Sequence, residues 1–82
     1  MVKVKFFGLI NVDSNIDYIE VSPNKVNDII DEIIIKYPSV SKQQLKKAII
    51  VINDEMIEGN RRFKMHLKSG DELVFITPAS GG

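Results

Sequence analysis

The sequence contains no cysteine. This absence excludes a disulfide framework, a thiolate zinc site, a catalytic thiol and a persulfide carried on a side chain. The hydrophobic core alone must therefore hold the chain together. With 82 residues, the chain has the length of one small domain, which excludes a two-domain enzyme and argues against a complete enzyme with an enclosed substrate pocket.

Net charge and long apolar runs are also missing. Eleven basic residues balance eleven acidic ones, so no overall field attracts polyphosphate, and the cluster of Arg61, Arg62 and Lys64 is too short for a nucleic-acid footprint. No stretch approaches the roughly 18 apolar residues of a membrane helix, and the amino terminus lacks a signal-peptide pattern. We therefore predict a cytoplasmic protein with neither a nucleic-acid nor a membrane partner.

The first residues alternate between apolar and charged side chains. Val2, Val4 and Phe6 are separated by lysines, which predicts a strand with one face on a core. The polar residues of segment 11–15 predict a turn, and segment 17–21 predicts a second strand. Because the connection is short, we expect these strands to form an antiparallel hairpin.

Segment 23–37 predicts an amphipathic helix. Ser22 can cap free backbone amides, Pro23 suits the first helical position, and Pro38 ends the helix. Apolar residues recur every three or four positions, with two more isoleucines at the margin of the stripe: Val26, Ile29, Ile30, Ile33 and Tyr37, then Ile34 and Ile35. This stripe predicts the main helix of the fold, packed against a sheet.

The second half of the chain predicts mostly strands and turns. We treat 41–47 as a connection with Leu45 turned inward. The β-branched run 49–52 predicts a strand buried on both faces and followed by a turn. Weaker signals come next: a return strand at Met56 and Ile57, an extended segment with Phe63, Met65 and Leu67, a turn at 69–71 and a last strand at 72–76.

This order of elements is that of a β-grasp, or ubiquitin-like, fold. We predict an α+β domain with a mixed sheet of four to five strands and one main helix across one face. The alternative, a split ferredoxin-like fold, needs a second full helix, and residues 53–70 contain too many turn residues for it. The predicted domain spans residues 1–76, and residues 77–82 form a flexible C-terminal tail.

The side chains offer no catalytic apparatus. Asp28, Asp31 and Glu32 lie on the polar face of the predicted helix, which indicates a solvated surface. His66 has neither a cysteine nor a second histidine with which to bind zinc, and the glycines are too isolated for a phosphate loop. We therefore expect no metal site and no activity of the chain alone.

The tail is the informative segment. Residues 77–82 contain nothing large or charged and end in Gly81 and Gly82. Because glycine lacks a Cβ, the backbone of another protein can close around such a tail and leave the Gly82 carbonyl open to attack. Pro78 stiffens the base of the arm.

The last thirteen residues, GDELVFITPASGG, resemble the closing signature of the MoaD/ThiS sulfur carriers, above all the small subunit of molybdopterin synthase (molybdopterin converting factor subunit 1). Residues 2–8, VKVKFFG, and 50–53, IVIN, resemble two strands of that family. Thr77 departs from the pattern, since the family commonly has the first of two prolines there.

The resemblance implies that the C-terminal carboxylate of Gly82 reacts. A ubiquitin-activating-like adenylyltransferase would adenylate it with Mg-ATP, and a cysteine desulfurase or rhodanese-like sulfur donor would convert it to a thiocarboxylate. The large subunit of molybdopterin synthase would then pass the sulfur to cyclic pyranopterin monophosphate, and the chain itself would bind no cofactor. The alternatives are a ubiquitin-like modifier joined to lysines through Gly82, a thiamin-pathway carrier, and a passive interaction module.

The last strand also predicts a partner surface. Residues 73–76 are all apolar, whereas a sheet covered by one helix has one dry face. Either Leu73 and Phe75 or Val74 and Ile76 therefore point outward, unless loops cover that side. The predicted partner-binding residues are Phe7, Phe75, Thr77, Pro78, Ala79, Ser80 and Gly81.

Overall fold

Five strands form one mixed sheet in a computed structural model that describes residues 1–78. The strands are β1 (Val2–Gly8), β2 (Tyr18–Val21), β3 (Ile49–Ile52), β4 (Glu55–Ile57) and β5 (Glu72–Thr77). The helices are α1 (Leu9–Ser14), α2 (Val26–Lys36), α3 (Lys42–Lys47) and a 3₁₀ helix (Asn60–Lys64). None of the helices in residues 1–78 is long and apolar enough to cross a membrane.

The sheet has the order β2-β1-β5-β3-β4. The β1–β2 and β3–β4 pairs are antiparallel, as is β5 with β3, whereas β1 and β5 are parallel. Asn53 and Asp54 join β3 to β4 with φ angles of 50° and 68°, the left-handed pair of a two-residue hairpin turn. The predicted β-grasp architecture, the antiparallel pairing of the first two strands and the one main helix are confirmed.

One face of the sheet packs against α2 and forms the core. The inward side chains alternate along the strands and meet four buried helix residues: Val2, Val4 and Phe6 of β1, Ile50 of β3, Leu73 and Phe75 of β5, and Val26, Ile29, Ile30 and Ile33 of α2. Phe6 and Phe75 stack at the centre, with ring centroids 6.0 Å apart and planes inclined by 12°. The predicted helix stripe is therefore the core face of α2.

The predicted turn at 11–15 is wrong, because these residues lie in or next to α1. The Ser14 hydroxyl donates to the Ile10 carbonyl, and Asn15 ends the helix in the left-handed conformation at φ 59°. The Asn11 amide donates to Asp17 and to the Ile16 carbonyl. The short polar side chains thus stabilise a helix of six residues, in which Ile10 is buried.

The main helix begins three residues later than predicted, at Val26. Ser22 and Pro23 do not cap it. Its start is fixed by backbone contacts to a distant segment, because Val26 donates to the Met65 carbonyl and Leu67 donates to the Asn24 carbonyl, both at 2.9 Å. The helix ends before Pro38 as predicted, but Ile35 is 78% exposed and does not widen the core stripe.

Segment 42–47, treated as a connection, is helix α3. The Ser41 hydroxyl accepts from the Gln44 amide as its N-cap, and Leu45 is buried as predicted. Strand β3 is not buried on both faces, since Ile49 is 40% exposed. The β-branched run correctly predicted a strand, but the prediction that both of its faces are buried is wrong.

The predicted extended segment with Phe63, Met65 and Leu67 is also wrong in its first part. Residues 60–64 form the 3₁₀ helix, and only Leu67 is fully buried, while Phe63 and Met65 lie partly buried against the core. Strand β5 includes Thr77, so the sheet extends one residue past the predicted domain boundary.

Candidate functional site

The tail leaves the fold from the middle of the sheet. Strand β5 pairs with β1 on one side and β3 on the other, and Pro78 follows it directly. The strand that carries the tail is therefore held by hydrogen bonds along both edges. Ala79, Ser80, Gly81 and Gly82, predicted as tail contacts and reactive terminus, lie outside the described residues.

Thr77 anchors the point at which the sheet ends. Its side chain is buried, and its hydroxyl oxygen accepts the Ile10 backbone N–H of α1 at 2.7 Å. The same hydroxyl donates to the Phe7 carbonyl at 3.3 Å. Because the Ile10 N–H belongs to α1, this hydroxyl joins the end of β5 to that helix. Thr77 was predicted to contact a partner, but the structure places it inside the fold.

Gly8 lies beside Thr77 in the parallel ladder. Its φ is 85°, and a Cβ at this position would lie 1.8 Å from the Thr77 carbonyl oxygen. Any side chain would therefore force the two strands apart. The close approach fixes β1 against the last residue before Pro78.

The sheet face opposite α2, here called the outer face, carries apolar side chains in two rows. Phe7, Ile76 and Ile49 lie next to one another across β1, β5 and β3. Val74, Val51 and Met56 form the neighbouring row across β5, β3 and β4. Phe7 is 52% exposed and Met56 is 55% exposed. The rows form an apolar surface beside the start of the tail, as protein-binding sites do.

This arrangement decides between the two predicted orientations of β5. Val74 and Ile76 point to the outer face, whereas Leu73 and Phe75 are fully buried. Phe75 was predicted to bind a partner, and this placement is wrong because its ring belongs to the core. Phe7 does extend the outer face, since it lies beside Ile76.

Sequence reasoning missed Ile49 and Met56 on the outer face. Ile49 lies in a run of β-branched residues, which gives no alternation of apolar and polar side chains. Its two-residue spacing to Val51 was the available signal, because alternate residues of a strand lie on the same face. A shallow groove of about 270 Å³ adjoins Phe7 and reaches Lys5, Asn11 and Tyr18. It continues the outer face toward β2.

Polar contacts fix the opposite end of β5. Asn53 accepts the Glu72 N–H at 2.9 Å, and its amide donates to Asp71 at 3.0 Å. The Lys68 backbone N–H donates to the same carboxylate at 2.7 Å. This backbone hydrogen bond, followed by that from Asn53, holds the pKa of Asp71 below its ordinary value. Glu72 also pairs with Lys5 at 3.3 Å on the outer face.

The carboxylates of α2 form no site in the described part of the chain. Asp31 pairs with Lys42 at 3.3 Å and Glu32 with Lys36 at 3.0 Å, and Asp28 is exposed, which confirms the predicted solvated face. His66 is exposed, and its backbone pairs with that of Lys25. Within residues 1–78 no three acidic or histidine side chains cluster as metal ligands would.

Comparison with known proteins places this geometry among related folds. The model of the ThiS family matches residues 11–82. The structure of small archaeal modifier protein 1 (SAMP1) from Methanosarcina acetivorans is similar, with 28% identity, a TM-score of 0.78 and coverage of 99% of this chain and 95% of that one. No match was found among curated protein sequences.

Two complexes also contain similar chains. The complex of subunits 1 and 2 of the molybdopterin-converting factor from Helicobacter pylori matches with 26% identity and a TM-score of 0.68, covering 99% of this chain and 97% of that one. The BexX/CysO complex from Amycolatopsis orientalis matches over the full length of both chains with 20% identity and a TM-score of 0.74. The second likeness concerns the fold alone.

Proposed function

This chain belongs to the ThiS family and is a sulfur carrier of that type, and we propose that it serves the synthesis of molybdopterin. In this proposal the Gly82 carboxylate becomes a thiocarboxylate and supplies sulfur to cyclic pyranopterin monophosphate inside a large synthase subunit. The observation that supports this choice of pathway is the 26% identity, over 99% of this chain, with a chain in the complex of molybdopterin-converting factor subunits 1 and 2.

The chemistry follows from the terminal group. A carboxylate is a poor electrophile because its charge repels nucleophiles. In the proposed first step, a carboxylate oxygen of Gly82 attacks the α-phosphorus of Mg-ATP in an adenylyltransferase, and pyrophosphate leaves. The acyl adenylate has lost the negative charge on the carboxyl group and has gained a good leaving group.

Sulfur then replaces the adenylate. The terminal sulfur of a donor persulfide attacks the Gly82 carbonyl carbon, and AMP leaves. The product is an acyl disulfide between Gly82 and the donor. A thiol of the donor or its partner then cleaves the S–S bond, which yields the thiocarboxylate and a disulfide. A cysteine desulfurase or a rhodanese-like protein would supply the persulfide, and the chain itself would provide no further reacting group.

The fold suits delivery of a terminal atom into another protein. The five residues 78–82 span at most about 17 Å when fully extended. Thr77 and Gly8 fix the start of this segment, and the apolar outer face lies beside it. We propose that the large subunit binds the outer face and receives the tail in its own active site.

The decisive test is intact mass spectrometry of the protein from its native host under thiol-free conditions. We expect one oxygen-to-sulfur exchange at Gly82. Deletion of Gly82 should abolish the exchange and the restoration of molybdopterin synthesis in a deficient extract. The thermal transition of the truncated chain should stay unchanged, because β5 ends at Thr77. Restoration by the truncated chain would overturn the proposal.

The second candidate function is a protein modifier, favoured by the 28% identity with small archaeal modifier protein 1. Activation of Gly82 would be the same, but a lysine amine would attack the acyl group and form an isopeptide bond. Proteomic analysis of the host after tryptic digestion would then find residues 69–82 attached to lysines of other proteins, because Lys68 is the last tryptic site of the chain. Their absence, together with a thiocarboxylate, would favour the carrier alone.

A further inference from the structure

Five cationic residues lie on two segments that contact each other, the end of α3 and the 3₁₀ helix. This basic cluster consists of Lys46, Lys47, Arg61, Arg62 and Lys64. The two segments are joined because the Arg62 guanidinium donates to the Lys46 carbonyl at 3.1 Å and to the Gly59 carbonyl. The fold thus brings the segment with Lys46 and Lys47 to the short basic run at residues 61–64.

An aromatic ring fixes two of these cations. The Lys46 ammonium lies 4.4 Å and the Arg62 guanidinium 4.3 Å from the centroid of Phe63. Cation–π attraction holds both at one ring, and Lys46 also donates to Asn27 of α2. The remaining members, Lys47, Arg61 and Lys64, are exposed.

No carboxylate within residues 1–78 forms a salt bridge with the cluster. The ion pairs in this part of the chain involve Lys5, Lys36 and Lys42. Because the whole chain has no net charge, the positive excess is local. Concentrated unpaired charge of one sign creates a potential that attracts the opposite charge.

An apolar groove lies directly beside the cluster. It has a volume of about 230 Å³ and is lined by Arg62, Glu58, Ala48 and Ile57, together with Ile49 and Met56 of the outer face. Strand β4, which borders it, is an edge strand of the sheet. The cluster and the groove therefore form one continuous surface with a charged part and an apolar part.

We propose that this surface binds an acidic segment of a partner protein. An apolar side chain of the segment would occupy the groove, and the carboxylates that follow would contact the basic cluster. A peptide fits better than a nucleic acid because the ring of Phe63 is partly buried and already contacts Lys46 and Arg62, so no aromatic face of the cluster is free to stack on a base. The surface requires neither Gly82 nor sulfur transfer.

The test measures binding of the full chain by fluorescence anisotropy. The probe is a short labelled peptide in which two leucines precede a run of glutamates. We expect binding that weakens with added salt, and a Lys47→Gln/Lys64→Gln double variant should bind about fivefold more weakly, since each exposed charge contact contributes modestly. Glu58→Gln should strengthen binding because it removes the carboxylate from the groove.

The matched control is Lys36→Gln/Lys68→Gln, which changes net charge equally but lies outside the cluster, and its affinity should stay unchanged. A counterpart peptide with glutamine in place of glutamate should not bind. The proposal is overturned if both double variants weaken binding equally, if the glutamine peptide binds as well, or if millimolar peptide does not bind. Tighter binding of a single-stranded RNA of similar length would also overturn it in favour of a nucleic-acid site.

Discussion

Gly8 and Thr77 show how single residues set the geometry of a carrier. The hydroxyl of Thr77 accepts a hydrogen bond from the Ile10 N–H. This N–H lies in the first turn of α1, where backbone N–H groups have no partner within the helix. A proline in place of Thr77 would have neither a hydroxyl nor an N–H. Thr77 therefore forms a hydrogen-bonded junction between β5 and α1 that a proline could not form.

We predict that Gly8→Ala destabilises the fold by about 2 to 4 kcal/mol, because the new Cβ meets the Thr77 carbonyl and the backbone is strained. Urea denaturation measures the change. Gly59→Ala is the matched control, since Gly59 has φ 79° but no atom within 4 Å of the added Cβ. Equal losses in the two variants would mean that the contact with Thr77 contributes nothing.

Asp71 gives a pH-dependent prediction. Its pKa is lowered in the folded state by the Lys68 backbone N–H and then by Asn53. The charged form therefore stabilises the fold above the unfolded-state pKa of about 3.9. This contribution is lost as the pH falls through the lower folded-state pKa. Asp71→Asn should destabilise the protein at neutral pH and much less in strong acid.

Urea denaturation of wild type and Asp71→Asn across this acidic range measures the difference. Asp54→Asn serves as control, because Asp54 is an exposed carboxylate on the β3–β4 turn with no side-chain hydrogen bond within residues 1–78. A gap between wild type and Asp71→Asn that stays constant from neutral pH into strong acid would contradict the assignment.

The secondary-structure elements differ in how far the sequence determines them. The alternation of Val2, Val4 and Phe6 and the helix stripe from Val26 to Ile33 specify elements and core together, because one face of each is apolar and the other is not. Helix α1 could not be read this way. Its start depends on the hydroxyl of Thr77, which is contributed by the last strand.

The same limit applies to the site. The proposed roles of Gly82 and Phe7 follow from the sequence, since a tail motif and an apolar residue at the end of a strand are local signals. The orientation of β5 does not follow from the sequence, because residues 73–76 are all apolar and either alternate pair could face the core. Only pairing with β1 and β3 decides that Phe75 is core and Ile76 is surface.

The outer face gives the prediction at the scale of elements. Phe7→Ala should weaken binding of the proposed large subunit at least tenfold, since a half-exposed aromatic ring in an apolar surface is a typical binding hot spot. Isothermal titration calorimetry measures it. Ile35→Ala, at the exposed side of α2, should leave affinity intact. Unchanged affinity for Phe7→Ala would place the interface elsewhere.

The molecule as a whole carries an apolar and a basic surface that adjoin each other. The apolar outer face lies on one side of the sheet, and α2 covers the other. The basic cluster lies next to the apolar groove at the β4 edge, and this groove shares Ile49 and Met56 with the outer face. A chain without net charge therefore still presents a local positive charge beside an apolar surface.

The parallel pairing of β1 with β5 also has a kinetic consequence. It joins residue 3 to residue 72, so the centre of the sheet closes only after nearly the whole described chain has been synthesised. Such distant contacts slow folding, because a large loop must close before they form. Folding should accordingly be a single late event, and a partly folded chain would not yet hold Thr77 against Gly8. An activating partner that requires this junction would not bind newly made chains until they have folded.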